Sequence, residues 1–165
     1  MTIRLLIGAL AAALGTSTTP SLITPAGAGP PWISIEYPVN PYEASTRGAF
    51  LVVHAFHHGT PMSFPVSGTA EGLIAGQRRS VPLTFRPTSR PGVYALHKQW
   101  ADSGAWSLVV AVAQGPEDKA YAVVYLDANG EVAKVRVPTR RQGQHTIPAP
   151  VVMGEIDASL RGRGR

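Results

Sequence analysis

Between residues 32 and 137, apolar and polar residues alternate with the period of a β-strand rather than that of a helix. The alternation is most regular within Arg90–Val112. Tyr94 and Leu96 alternate with their neighbours, and Trp106, Leu108, Val110 and Val112 do so after a break at residues 101–104, Ala-Asp-Ser-Gly, which has the composition of a turn. The spacing predicts two strands joined by that turn and paired with each other. Trp106 is then a core residue with Tyr94 and Leu96 as neighbours, Ser107 faces away from the core, and Trp100, beside Ala101 and Asp102, is half exposed.

The same reading extends in both directions. Residues 32–38 form a strand that Pro38 and Pro41 end, and residues 49–57 are apolar on both faces, as in the centre of a sheet. His58-Gly59-Thr60-Pro61 is a turn. Residues 65–75 carry Gly68 and Gly72 and predict a loose or bulged strand. Arg78 and Arg79 are expected to open a polar turn. Residues 80–86 then alternate Val81, Leu83 and Phe85 inward, with Pro82 requiring an edge or a strand start. Residues 120–126 and 131–137 flank Asp127-Ala128-Asn129-Gly130, whose Asn-Gly is a strong hairpin signal. Short strands at spacings of about ten residues, with no amphipathic helix, predict an all-β antiparallel sandwich of seven to nine strands over residues 29–139.

The 165 residues suffice for one domain with a real core. Residues 1–28 have the form of a signal peptide: Arg4, an apolar run from Leu5 to Leu14, and the small-residue cleavage pattern Ala26-Gly27-Ala28. An earlier cut after Gly15 is the alternative. The run is shorter than the ~20 apolar residues a membrane span needs. The expectation is a periplasmic or secreted protein with no stable membrane span after cleavage. The absence of cysteine excludes disulfides and thiolate chemistry. Of the net charge of +5, only +1 belongs to residues 29–139, which hold nine basic and eight acidic residues, whereas residues 140–165 hold five arginines and two acids. The domain itself is therefore not expected to bind nucleic acid. The basic segment 140–165 reads as a largely disordered tail, within which residues 147–153 form a short strand or pack on the domain.

Two short motifs point to a family. Pro91-Gly92-x-Tyr94, followed by Gly104-x-Trp106-x-Leu108-x-Val110, resembles the C-terminal half of bacterial YtkA-like domains, small exported modules related to FixH-type proteins. The resemblance spans residues 32–137. It implies an immunoglobulin-like fold and a noncatalytic extracytoplasmic role beside a protein partner in the cell envelope, sometimes linked to metal or respiratory-complex maturation. FixH-type proteins carry a membrane anchor, which this chain is not expected to keep.

Candidate chemistry is sparse. There is no Gly-x-Ser-x-Gly and no His-Glu-x-x-His. Glu117, Asp118 and Asp127 occupy turns. Residues 127–130 begin like a calcium loop, but the twelfth position is Pro138. No enzyme is expected. The ligand set that remains is His57, His58, His97 and Met62, a combination suited to copper, which makes a copper carrier the alternative to a protein without a cofactor. Against that set, His57 and His58 point to opposite faces if the strand continues through them. His54 and His58 would lie about 13 Å apart on such a strand. A chain beginning Gly29-Pro30-Pro31 offers no amino-terminal histidine. His54 is either buried with a partner, or it flanks an exposed apolar patch that includes Val52 and Phe56.

Overall fold

A computed structural model describes residues 29–163; the signal peptide assigned to residues 1–28 lies outside them. In chain order the strands are β1 (Trp32–Glu36), β2 (Leu51–His57), β3 (Thr60–Pro61), β4 (Val66–Ile74), β5 (Gln77–Pro82) and β6 (Arg86–Pro87). They continue with β7 (Val93–Leu96), β8 (Ala105–Ala113), β9 (Lys119–Leu126), β10 (Val132–Arg136), β11 (Thr139–Gln142) and β12 (His145–Pro148), and one helix follows, α1 (Met153–Arg163).

All pairings are antiparallel. One sheet runs β1-β2-β7-β6 with β3 paired to β2, the second runs β10-β9-β8-β4-β5, and β11 and β12 form a separate hairpin. The two larger sheets enclose one core. Ile33, Leu51, Val53 and Leu96 enter it from the first sheet, and Trp106, Leu108, Val110 and Val124 from the second. The alternation of the sequence thus becomes the inward set of each strand, because side chains two apart share a face.

The central motif divides differently from its expected pairing. β7 pairs with β2 and β8 pairs with β4, so Tyr94 and Leu96 enter the core from the opposite sheet and are not strand neighbours of Trp106. Residues 97–104 cross between the sheets rather than closing a hairpin. β8 finds a nine-residue partner in β4, in register from Val66 opposite Val112 to Leu73 opposite Ala105. The crossing segment carries Trp100 into the core, 7% exposed and edge-on to Phe50 with ring centroids 5.0 Å apart, which corrects its half-exposed expectation.

Two further expectations are corrected. The turn after β4 is at Ala75-Gly76, both with positive φ, so Arg78 and Arg79 belong to β5 and not to a turn. Pro82 does end an edge strand. The composition of residues 140–165 suggests disorder, but the described part of that segment contains β12, nearly all of β11 and α1. α1 lies on the outer face of the second sheet. There Ile156 and Leu160 are buried against Val123 with Leu73, Val109 and Tyr125 around them. Two well-placed apolar side chains suffice to dock a short helix whose mean composition is polar.

Polar contacts lock that helix. Arg78 Nη2 reaches both Glu71 (3.3 Å) and Asp157 (2.8 Å), and the Ser80 hydroxyl donates to Glu71 at 2.7 Å. Arg136 pairs with Glu155. At the far end, Arg163 donates to Leu126 O, and its Nη2 donates to Ser107 Oγ and Ser159 Oγ at 2.7 Å each. Burial lowers the Arg163 guanidinium below its ordinary pKa, and these neutral acceptors compensate. No helix among the described residues is long and apolar enough to cross a membrane.

Candidate functional site

The residues of the family-like motif hold the sandwich together. Gly92 has φ +70, and a Cβ there would stand 2.7 Å from Ala55 O and 2.8 Å from Met62 N, so only glycine passes the β2–β3 hairpin. Two residues on, the Tyr94 hydroxyl donates to Phe64 O at 2.6 Å, tying β7 to the chain after β3. Gly104 has φ +92 and is pressed against Leu73 O and Ile74. Trp106 Nε1 donates to Ser103 O at 2.9 Å, and its ring covers Gly72, where a Cβ would come within 2.6 Å of it. These residue types at these spacings are explained by packing.

The expected ligand set is not brought together as a whole. β2 ends at His57, and His58 (φ 49) and Gly59 (φ 78) turn the chain directly into β3. The strand therefore does not continue through the two histidines. Their rings meet edge-on with centroids 4.3 Å apart, where opposite faces are expected. Met62 follows β3 and donates its N–H to Ala55 O at 3.0 Å. His97 does not join them. It follows Leu96, which pairs with Leu51 at the other end of β2, about 20 Å away at ~3.3 Å per residue. Among the described residues, no three His, Asp or Glu side chains are grouped to hold a metal ion.

His54 follows neither alternative in full. Leu51, Val53 and Ala55 face the core, while His54 shares the outer face with Val52, Val93 and Ala95, all three of which are buried. The 3₁₀ turn Ala44–Thr46 lies against β7 on the way into β2. His54 is part-buried, and its Nε2 is 2.8 Å from Glu36 Oε2. The hydrogen bond from His54 is the main reason the Glu36 carboxyl titrates below its ordinary range.

His58, at the β2–β3 turn, forms part of the wall of a cleft of about 620 Å³ at the end of the sandwich where β1 and β9 begin. Gly29, Pro30 and Trp32 line it from the first strand, Asp118 from the turn before β9, and Arg140, Gln142, His145, Thr146 and Ile147 from the β11–β12 hairpin. His57 Nε2 donates to Gly29 O at 3.0 Å and so pins the start of the described chain to the hairpin. His58 packs on Gly29, its Cε1 3.3 Å from where a Cβ would stand. Among the described residues the side chains of Asp118, Arg140 and His145 form no ion pair, so the cleft presents an aromatic ring, imidazoles, a guanidinium and a carboxylate to solvent. Sequence reasoning left out Asp118, Arg140 and His145 because the hairpin that carries two of them reads as tail.

A second depression, at the opposite end, is bordered by Asp127 and Arg163. Both are engaged: Asp127 Oδ1 accepts from Asn129 N and Glu131 N, and Arg163 clamps α1. Comparison of the chain with protein-family models, with curated proteins and with solved structures finds no match.

Proposed function

We propose that this chain is an exported, noncatalytic binding module of the bacterial cell envelope. In this reading it is an immunoglobulin-like sandwich of the YtkA-like and FixH-like kind, acting beside a protein partner in the periplasm or outside the cell. The observation that carries the reading is the cleft at the leader end of the sandwich. It gathers Trp32, His58, Asp118, Arg140 and His145 from four separate parts of the chain. Such a mixture of an aromatic surface and polar groups is typical of recognition sites. Two buried polar side chains support it from the other side, since Glu71 and Ser107 are both used in holding α1.

The reading is tested in cells with a photo-crosslinking residue at Thr146, in the cleft, or at Asn129, at the far end. The expected result is a discrete adduct in the envelope fraction from position 146, absent from position 129 and removed by Arg140→Glu. Equal labelling from both positions, or protein retained in the cytoplasm, would sink it.

The second reading, a copper carrier, is favoured by one contact, the 4.3 Å approach of the His57 and His58 rings. Of the ligand set read from the sequence, His97 drops out of any such site by its distance.

A further inference from the structure

Given the reading of the cleft as a recognition site for a protein partner, on which this rests, we infer that its occupant is a peptide segment of that partner carrying one acidic and one basic side chain, the acid received by Arg140 and the base by Asp118. In the β11–β12 hairpin Arg140 pairs with Ile147, and Gln142 with His145. Residues directly opposite each other, and residues two apart, share one face of a ladder. Arg140, Gln142, His145 and Ile147 therefore stand on one face, and all four line the cleft. Asp118 lines it from the turn before β9, and Trp32 from the start of β1. The hairpin contains no acid, and the two acids that follow it are taken: Glu155 pairs with Arg136 and Asp157 with Arg78. Neither Arg140 nor Asp118 forms an ion pair among the described residues.

Opposite charges left unpaired in one cleft narrow the chemistry of what fills it. An inorganic anion would answer Arg140 and leave Asp118 facing a like charge, and a lone cation would do the reverse. A neutral saccharide would leave both without a counter-charge. A segment that bears both signs satisfies the two at once. A guanidinium takes a carboxylate through two parallel N–H donors, and the Gln142 amide adds donors on the same face. An ionised carboxylate only accepts hydrogen bonds, so Asp118 suits the ammonium of a lysine or the guanidinium of an arginine. Trp32 and Ile147 give the cleft apolar surface for the methylene stem of that basic side chain.

The test titrates the isotope-labelled protein in solution NMR with capped, glycine-spaced peptides holding one Asp and one Lys, separated by one or by three residues. Control peptides replace the Asp by Asn, the Lys by Gln, or both. A mixed-charge peptide is expected to shift the amides of residue 118 and residues 140–147 and the Trp32 indole N–H. Removing either charge should weaken it by more than about threefold. Arg140→Gln should weaken the mixed peptide but not the Asn control, and Asp118→Asn should weaken it but not the Gln control, which assigns each charge to its receiver. Both side chains are exposed, so the variants should keep the fold, and thermal melts check this. Equal affinity for mixed and uncharged peptides, no shift at these residues, or tighter binding of maltotetraose or of free glycine would overturn the assignment. A crosslinked adduct at position 146 without any effect of peptide charge would strike the ligand chemistry alone, whereas absence of both would strike the cleft reading with it.

Discussion

Trp106 shows how one side chain fixes several others. It is 4% exposed, its ring lies over Gly72, and its indole N–H is bonded back to Ser103. Trp106→Ala is expected to lose about 3–5 kcal/mol in denaturant melts, the range for truncating a buried aromatic. Gly72→Ala, which drives a methyl into the same ring, should lose about 1–3 kcal/mol by overpacking. Ser107 points the other way, as its place in the alternation requires, yet it is fully buried beneath α1 and accepts from Arg163. Ser107→Ala should therefore be measurable, at about 1 kcal/mol, where an outward strand residue would be silent. The Glu36–His54 pair sets a pH dependence. Because the folded-state Glu36 pKa is depressed, its stabilisation is present above the ordinary carboxylate range and disappears as pH falls through the lowered value. Melting temperatures of wild type and Glu36→Gln should differ near pH 6 and converge as the pH falls through the lowered Glu36 range; a constant difference would show that the pair does not act through ionisation.

At the level of elements, α1 carries the least obvious contribution. It is an 11-residue helix with two internal glycines, too short to persist alone in water. Its stability comes from Ile156 and Leu160 on the sheet, with Arg78 and Arg163 closing the edges. Ile156→Ala is expected to destabilise by about 2–5 kcal/mol. A chain ending at Thr139 should melt well below the full chain, because it uncovers Val123 and leaves Glu71, 7% exposed, without the Asp157 side of its arginine bridge. A truncated chain that melts like the full one would show that the helix is dispensable.

For the molecule as a whole, stability should be graded across the two sheets. β4, β8 and β9 pair along nearly their full length and fill the core, whereas β11 and β12 form a two-stranded hairpin whose residues 139–146 are all exposed. Native-state hydrogen exchange should therefore protect β8 most and the β11–β12 hairpin least. The hairpin also lines the cleft, so a ligand bound there should slow exchange at residues 140–147 before any other segment. With about 5–15 kcal/mol available to a domain of this size, loss of Trp106 or of α1 approaches the limit of folding.

Much of this architecture is legible in the residue order because it is local. Period-two alternation reports which side chains share a face, so the strands, the inward set Leu108, Val110 and Val112, and the core position of Trp106 follow from it. Turn chemistry is local too, and the His58-Gly59 and Asn129-Gly130 turns could be read directly. What alternation cannot report is the partner of each strand. Whether Ala-Asp-Ser-Gly closes a hairpin or crosses the sandwich depends on competition between β7 and β4 for β8, a choice made by residues 32 to 46 positions apart. The same holds for His57 and His58. A strand continuing through residue 58 would separate them; the turn there is legible, but the approach of the two rings follows from the positive φ that His58 takes within it. The helix was hidden because its mean polarity conceals two apolar residues four apart, whose burial depends on the sheet face waiting for them. Tertiary structure alone therefore assembled the cleft, since its walls come from the start of β1, the β2–β3 turn, the turn before β9 and the β11–β12 hairpin, and no window of sequence contains them together.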